Sequence, residues 1–193
     1  MNWITFDIET YSPSKLSYID TKEFRVSVTG AYISWLDQYI AFFEEDTKEF
    51  LKLLFEADLV VGFNHIWFDL AVLQKYSYVD LVQFTNNYDI MLEVERKIGF
   101  KAKLNDLLKS NMDGDIKTDT YAQYKDYYWD GKWFELVDYC MNDVRLTNEL
   151  FLKALNGETL KYNDLTGVKE FVLEKPVLVK KERTGVNAME SIF

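Results

Sequence analysis

The chain predicts an α/β fold: a mixed β-sheet made of a three-strand antiparallel meander plus parallel strands, flanked by helices. Three observations carry that prediction. The first runs, Trp3–Thr10, Arg25–Trp35 and Tyr39–Phe43, are β-rich and separated by turn or loop signals. A helical stretch then leads directly into a short, wholly apolar run, Leu59-Val60-Val61-Gly62-Phe63, which fits a parallel core strand. A long helical pattern from Trp133 through Leu155 lies further on and needs a sheet face to pack against.

The elements follow in order. Trp3-Ile4-Thr5-Phe6-Asp7-Ile8-Glu9-Thr10 reads as a buried apolar strand ending in two carboxylates. Thr10 to Glu23, with Pro13 and three serines, reads as a loop. The run RVSVTGAYISW alternates from Arg25 to Trp35, with Gly30 inside it as a candidate bulge. Leu36-Asp37-Gln38 turns the chain into Tyr39–Phe43. Asp46 or Thr47 caps a helix whose buried stripe is Phe50, Leu51, Leu53, Leu54 and Phe55. A second helix spans about Phe68 to Tyr76. Asn86–Ile90 is a brief strand or turn before a helix through Leu92, Val94 and Ile98, and Leu104–Leu108 forms another short helix. Met112–Asp119 reads as a polar loop, and Tyr121–Trp133 is an aromatic stretch with a turn at Asp130-Gly131. Leu160–Tyr162 and Val168–Leu173 flank Asn163–Gly167 as a hairpin, and a mostly polar tail follows Pro176.

Composition bounds the function. At 193 residues with 48% apolar and 17% aromatic residues, the chain has ample material for one packed core. The single cysteine, Cys140, excludes an internal disulfide and a cysteine zinc cluster. The single histidine, His65, excludes a histidine-rich metal site. No signal peptide and no long apolar run is evident, so a soluble, intracellular (cytoplasmic) protein with no membrane partner is expected. Thirty-two acids against 22 bases give a net charge of -10, which counts against loose binding of long duplex nucleic acid through phosphate neutralisation. It does not count against an enzyme whose acids collect metal and whose metal meets a phosphate.

Four acids then stand out. Alternation along a strand puts Asp7 and Glu9 on one face. Two carboxylates aimed together repel unless a cation sits between them, and hard divalent ions prefer oxygen ligands. Taken alone, the pair also fits a strand running into a polar loop with both acids solvated. Asp69 lies just past the apolar Leu59–Phe63 strand at a helix start, where a carboxylate is either an ordinary first-turn acid or part of a site at the strand's carboxyl end. Asp143 shares a helix face with Tyr139, four residues earlier, beside the apolar Cys140, Val144 and Leu146.

Phe6-Asp7-Ile8-Glu9-Thr10, the N-x-x-x-F-D pattern from Asn64 to Asp69, and the Y-x-x-x-D pattern from Tyr139 to Asp143 occur in that order over residues 1 to about 155. Together they resemble the three motifs of the DEDD 3′→5′ exonucleases, tyrosine subtype. The wording is nearest to the proofreading domains of family B DNA polymerases and their stand-alone relatives with the ribonuclease H-like fold. The histidine subtype would need a histidine near position 138, and His65 is the only one present.

The resemblance implies residues 1–157 as a ribonuclease H-like exonuclease domain, with 158–193 a C-terminal hairpin and tail. It implies two divalent metal ions, Mg²⁺ or Mn²⁺, about 4 Å apart at the scissile phosphate. By analogy Asp7 bridges both ions, Glu9 and Asp143 complete one site, and Asp69 holds the other. Tyr139 would orient the attacking water; a phenol, with an ordinary pKa of about 10, is a poor general base. Asn64 and Phe68, with Ile8 and Thr10, would bind the terminal nucleotide, the phenyl ring by stacking. The implied partner is a single-stranded nucleic acid 3′ end, DNA favoured over RNA. No polymerase palm or helicase motif follows residue 155, so a free-standing nuclease, or one serving a separate polymerase or repair or replication partner, is expected. An exoribonuclease with the same acids, and a catalytically inactive nucleic-acid-binding or interaction module, are the alternatives.

Other features carry less. Arg96, Lys97, Lys101 and Lys103 form a basic run that suits either a strand backbone or a solvated helix end. Asp113-Gly114-Asp115 with Asp119 has its glycine misplaced for a calcium loop of the EF-hand type. His65 reads as a rim or structural residue.

Overall fold

A computed structural model of the chain describes residues 1–12, 23–112, 126–164 and 167–179. Most of the Thr10–Glu23 loop, the polar loop with its Asp113–Asp119 acids, the first part of the aromatic stretch and the tail from Lys180 lie outside the described residues.

Five strands form one mixed sheet in the order β3-β2-β1-β4-β5. β1 (Trp3–Tyr11) is central, antiparallel to β2 (Arg25–Ile33), which is antiparallel to β3 (Gln38–Phe43). On its other side β1 pairs in parallel with β4 (Leu59–Gly62), and β4 with β5 (Asn87–Asp89). The meander and the parallel core strand stand where the alternation and the apolar run put them.

Alternation along β1 divides its side chains between two layers. Ile4, Phe6 and Ile8 join Phe50, Leu51 and Leu54 of α1 (Thr47–Glu56) and Leu70, Val72 and Leu73 around α2 (Asp69–Leu73). Trp3 and Thr5 turn to the opposite face, where both donate to Asn148 Oδ1, at 3.1 and 2.8 Å. Asn148 belongs to α6 (Trp133–Asn156), the long helix the sequence predicts. That second layer also holds α4 (Ile90–Ile98) and α5 (Leu104–Asn111), with Val94, Leu107 and Leu108 packed against Leu150 and Phe151. A four-residue helix, α3 (Leu81–Phe84), was not anticipated; it is too short to show a period.

β6 (Thr159–Asp164) and β7 (Gly167–Val172) form the expected hairpin. It docks on the α5–α6 layer through Leu160 and Tyr162, with the Asn111 side chain bonded to both the N–H and the carbonyl of Lys161 at 2.7 Å. Among the described residues no helix is long and apolar enough to cross a membrane.

The bulge expected at Gly30 is elsewhere. Gly30 pairs regularly with Asp7, and the register shifts between Glu9 and Thr10, whose partners are Val28 and Val26. Ser27 is therefore the extra residue. Its insertion turns Val26 toward the α1 layer while Val28 packs with Leu136 and Cys140 of α6. Gly30 serves close approach instead: a Cβ there would lie 3.0 Å from Cys140 Sγ, 3.0 Å from Met141 Sδ and 3.1 Å from a Val144 methyl. Its bare backbone lets α6 settle on the sheet directly beside Asp7.

Candidate functional site

The acids of β1 lie on the α6 side of the sheet. Along that face Asn148 lies over Thr5, Val144 over Gly30, and Cys140 over Asp7, so helix and strand run antiparallel past each other. Cys140 Sγ donates to the Asp7 carbonyl at 3.5 Å and sits 4.0 Å from its carboxylate. A ligand atom from each of Asp7, Glu9 and Cys140 falls within 4.8 Å of the others. Burial pushes the Cys140 thiol pKa up, so the sulfur keeps its proton and leaves the carboxylates as the charged donors.

Asp69 reaches this place from the other layer. β4 pairs with β1 only through Trp3–Thr5 and then ends, which leaves the next stretch of that β1 edge without a strand. The Asp69 carboxylate fills the gap, accepting from the Ile8 N–H at 3.1 Å. The loop that delivers it turns at Asn64, left-handed at φ 63°, a conformation asparagine tolerates better than most residues. At Gly62 a Cβ would come within 2.7 Å of the His65 side chain, so a glycine is needed for the chain to double back.

The loop is clamped by a residue that the sequence reading passed over. Asp89, at the end of β5, accepts from the N–H groups of Asn64 at 2.8 Å and Ile66 at 3.2 Å. The same carboxylate caps α4 by accepting from Met91 N–H at 3.1 Å. His65 is fully buried beneath it, with Nε2 3.2 Å from Asn87 Oδ1 and its ring edge-on to Phe6. Burial lowers the His65 pKa, so the ring is neutral at neutral pH and structural rather than a rim group. The Asx-before-helix signal could have revealed Asp89 as a cap. Nothing local could have revealed its grip on a loop 25 residues earlier.

Asp143 completes the group from α6, and Tyr139, one turn earlier, hydrogen-bonds its carboxylate. Burial pushes Asp143 up to about 6 against the pull of that hydrogen bond. Asp69 rises to about 7, again chiefly through burial, although its backbone hydrogen bonds oppose the shift. Asp7 stands well above the ordinary carboxylate range because of burial first, then the charges of Asp69, Glu9 and Asp143. Glu9 rises for the same reasons, with Asp143 and Asp69 as its neighbours. Among the described residues none of the four pairs with a lysine or arginine. Four interacting carboxylates without a basic counter-ion form an oxygen-rich donor set that fits a hard divalent cation.

The structure thus brings Asp7, Glu9, Asp69, Tyr139 and Asp143 together. Asn64 lies at the turn of the same loop, and Phe68 is half-buried with its ring against Phe24, centroids 6.0 Å apart. Ile8 and Thr10 do not share the acids' face. The Ile8 side chain is in the α1 core and its N–H is taken by Asp69; Thr10 pairs with Val26 on that same side. In the basic run, Arg96 and Lys97 pair with Glu93 and Glu174, while Lys101 and Lys103 are exposed.

No protein-family model matches the chain, and no curated protein matches it in sequence. Among solved structures it is similar to the family B DNA polymerase from the hyperthermophilic archaeon Pyrobaculum calidifontis, with a TM-score of 0.64 at 19% identity. The match covers 80% of this chain and 24% of the polymerase chain. The likeness is one of fold, and it joins this mixed α/β architecture to a region within a nucleic-acid enzyme.

Proposed function

We propose that this chain is a metal-dependent 3′→5′ exonuclease that releases nucleoside monophosphates from single-stranded DNA ends. The observation that carries the reading is the convergence of four carboxylates from three elements, with no basic counter-ion among the described residues and with a tyrosine hydroxyl on one of them. Their order along the chain matches the three DEDD motifs of the tyrosine subtype, and the fold shared with a polymerase region supports the same reading. Residues 1–157 form the nuclease unit in this account, with the hairpin and tail appended.

The reaction is hydrolysis of a phosphodiester. Water adds its oxygen to phosphorus, the 3′ oxygen of the preceding nucleotide departs, and a proton passes from the water to that oxygen. Asp7, Glu9 and Asp143 on the α6 side and Asp69 from the other layer would together hold two Mg²⁺ or Mn²⁺ ions. When bound, such ions lower the pKa of water and neutralise charge building on the phosphate. The chain's own contribution is positional. The Ile8 N–H fixes the Asp69 carboxylate, the Asp89 clamp fixes the loop that carries it, and the hydroxyl of Tyr139 orients the attacking water beside Asp143. Asn64 and Phe68 border the place of the terminal nucleotide.

A 5′-labelled single strand incubated with Mn²⁺ tests the proposal, with RNA run in parallel. The expected result is a ladder that shortens from the 3′ end, vanishes with chelator, and falls at least about a hundredfold with Asp7→Asn. Degradation of RNA but not DNA would make the chain an exoribonuclease. No degradation of either would leave a binding module, and undiminished activity in Asp7→Asn would overturn the role given to the four acids.

A further inference from the structure

Beyond Glu9, the face of β1 that carries the acids ends in Tyr11, and Tyr11 begins a chain of rings. It stacks flat on Tyr128, with centroids 3.9 Å apart and planes 7° from parallel. Trp129 stands edge-on to Tyr11 at 6.2 Å and to Tyr128 at 5.2 Å. Trp133, in the first turn of α6, meets Tyr128 at 5.3 Å and Phe43 at 6.0 Å. Tyr11 is held rigidly, because its hydroxyl donates to Glu44 at 2.8 Å, and Glu44 also accepts from Tyr76 and Arg25. Trp129 and Trp133 each remain 42% exposed.

The position of the cluster is set by the same two elements that build the acid site. Glu9 and Tyr11 share a strand face, and Trp133 lies two turns before Cys140 on α6. A polymer with its end at the carboxylates and its length continuing past Glu9 meets these rings next. The charges around them do not suit phosphate. Asp126, Asp130, Glu135 and Asp138 are exposed there, while Lys132 pairs with Asp130 at 3.4 Å and Arg25 with Glu44 at 2.7 Å. The surface therefore has flat apolar faces to offer and no unpaired cation among these residues.

We infer that Tyr11, Tyr128, Trp129 and Trp133 form a stacking platform for the unpaired bases of a single-stranded polynucleotide, which is gripped by its bases rather than its phosphates. The inference rests on the exonuclease reading, and it names how that site takes its substrate. Every base has a π-face, so such a platform is tolerant of sequence and excludes paired strands, whose faces are already stacked. Few phosphate contacts also mean a shallow dependence of affinity on salt.

The test is fluorescence anisotropy of a 5′-labelled oligothymidylate in chelator, compared with a strand of equal length whose bases next to the 3′-terminal nucleotide are replaced by abasic sites. Wild-type protein should bind the abasic strand about tenfold more weakly, and Trp129→Ala should lose about the same factor on oligothymidylate. Trp129→Ala should lose little more on the abasic strand, and Trp129→Phe, which keeps a ring, should recover most of the affinity. Affinity lost equally on both strands would mean a structural role or a phosphate contact and would overturn the inference. Equal binding of the two strands by the wild type would overturn it without any variant. If wild-type protein shortens strands in Mn²⁺ while Trp129→Ala binds and shortens them as well, the platform falls and the nuclease reading stands. If wild type neither binds nor shortens any strand, both fall.

Discussion

Asp69 carries a test that needs no substrate. Its folded pKa of about 7 lies above the ordinary 3.8, so between those values the folded chain binds more protons than the unfolded one. Stability from this group is fully present below about pH 4 and is lost as pH rises through about 7. Asparagine keeps an oxygen for the Ile8 N–H and removes the charge. In metal-free buffer Asp69→Asn should therefore be more stable than wild type at pH 8, by on the order of 1 kcal/mol, and the gain should shrink toward pH 4. Thermal midpoints across that range check the sign. Asp143, raised to about 6, adds to the same trend in the wild type. Four acids held at a stability cost in the empty protein are what a cation site requires.

The elements that hold these residues can be loosened one at a time. Gly30→Val would drive a branched side chain into Cys140, Met141 and Val144. Met141 can swing aside, but Cys140 and Val144 are wholly buried, so α6 must lift from β2. We expect a loss of about 1–3 kcal/mol in urea unfolding, together with weaker Mn²⁺ binding as Asp143 withdraws from Asp7. Asp89→Ala acts on the other layer. It removes the acceptor of the Asn64, Ile66 and Met91 N–H groups, and should cost at least about 2 kcal/mol. Strand-shortening activity should fall although Asp89 is not among the four acids. Unchanged activity would show that the loop keeps its shape without the clamp.

These elements also mark how far the sequence could be read. The meander, the parallel strand after α1, the long helix and the hairpin all announce themselves through short-range periodicity and turn residues. The acids were recoverable because β alternation and i, i+4 spacing are local rules, and because three ordered motifs reinforce one another. Gly30 was misjudged because a strand glycine fits a bulge and a close helix contact equally well; only the helix above it decides. The bulge at Ser27 and the Asp89 clamp depend on partners far along the chain, whereas the face of Ile8 and Thr10 follows from the same alternation that aligns Asp7 with Glu9.

At the scale of the whole molecule, the net charge of -10 is compatible with the proposed function because the acids are not distributed uniformly. One group of acids is drawn together at the centre of the sheet, where two layers meet along β1. Other acids are exposed around the ring cluster, where the substrate would be met through base faces. The molecule's two layers must both be intact for the site to exist, since Asp69 comes from one and Asp143 from the other.

The proposed function requires that these carboxylates together bind divalent cations. Calorimetric titration of Mn²⁺ into the metal-free protein near pH 6.5, repeated in two buffers of different ionisation enthalpy, tests it most directly. With Asp143 near 6, Asp69 near 7 and Asp7 and Glu9 raised, part of the site is protonated before metal arrives. The expected result is saturable binding that releases protons, with the release diminishing as pH rises and the binding lost in Asp7→Asn. Binding without proton release, or binding of equal strength in Asp7→Asn, would contradict it.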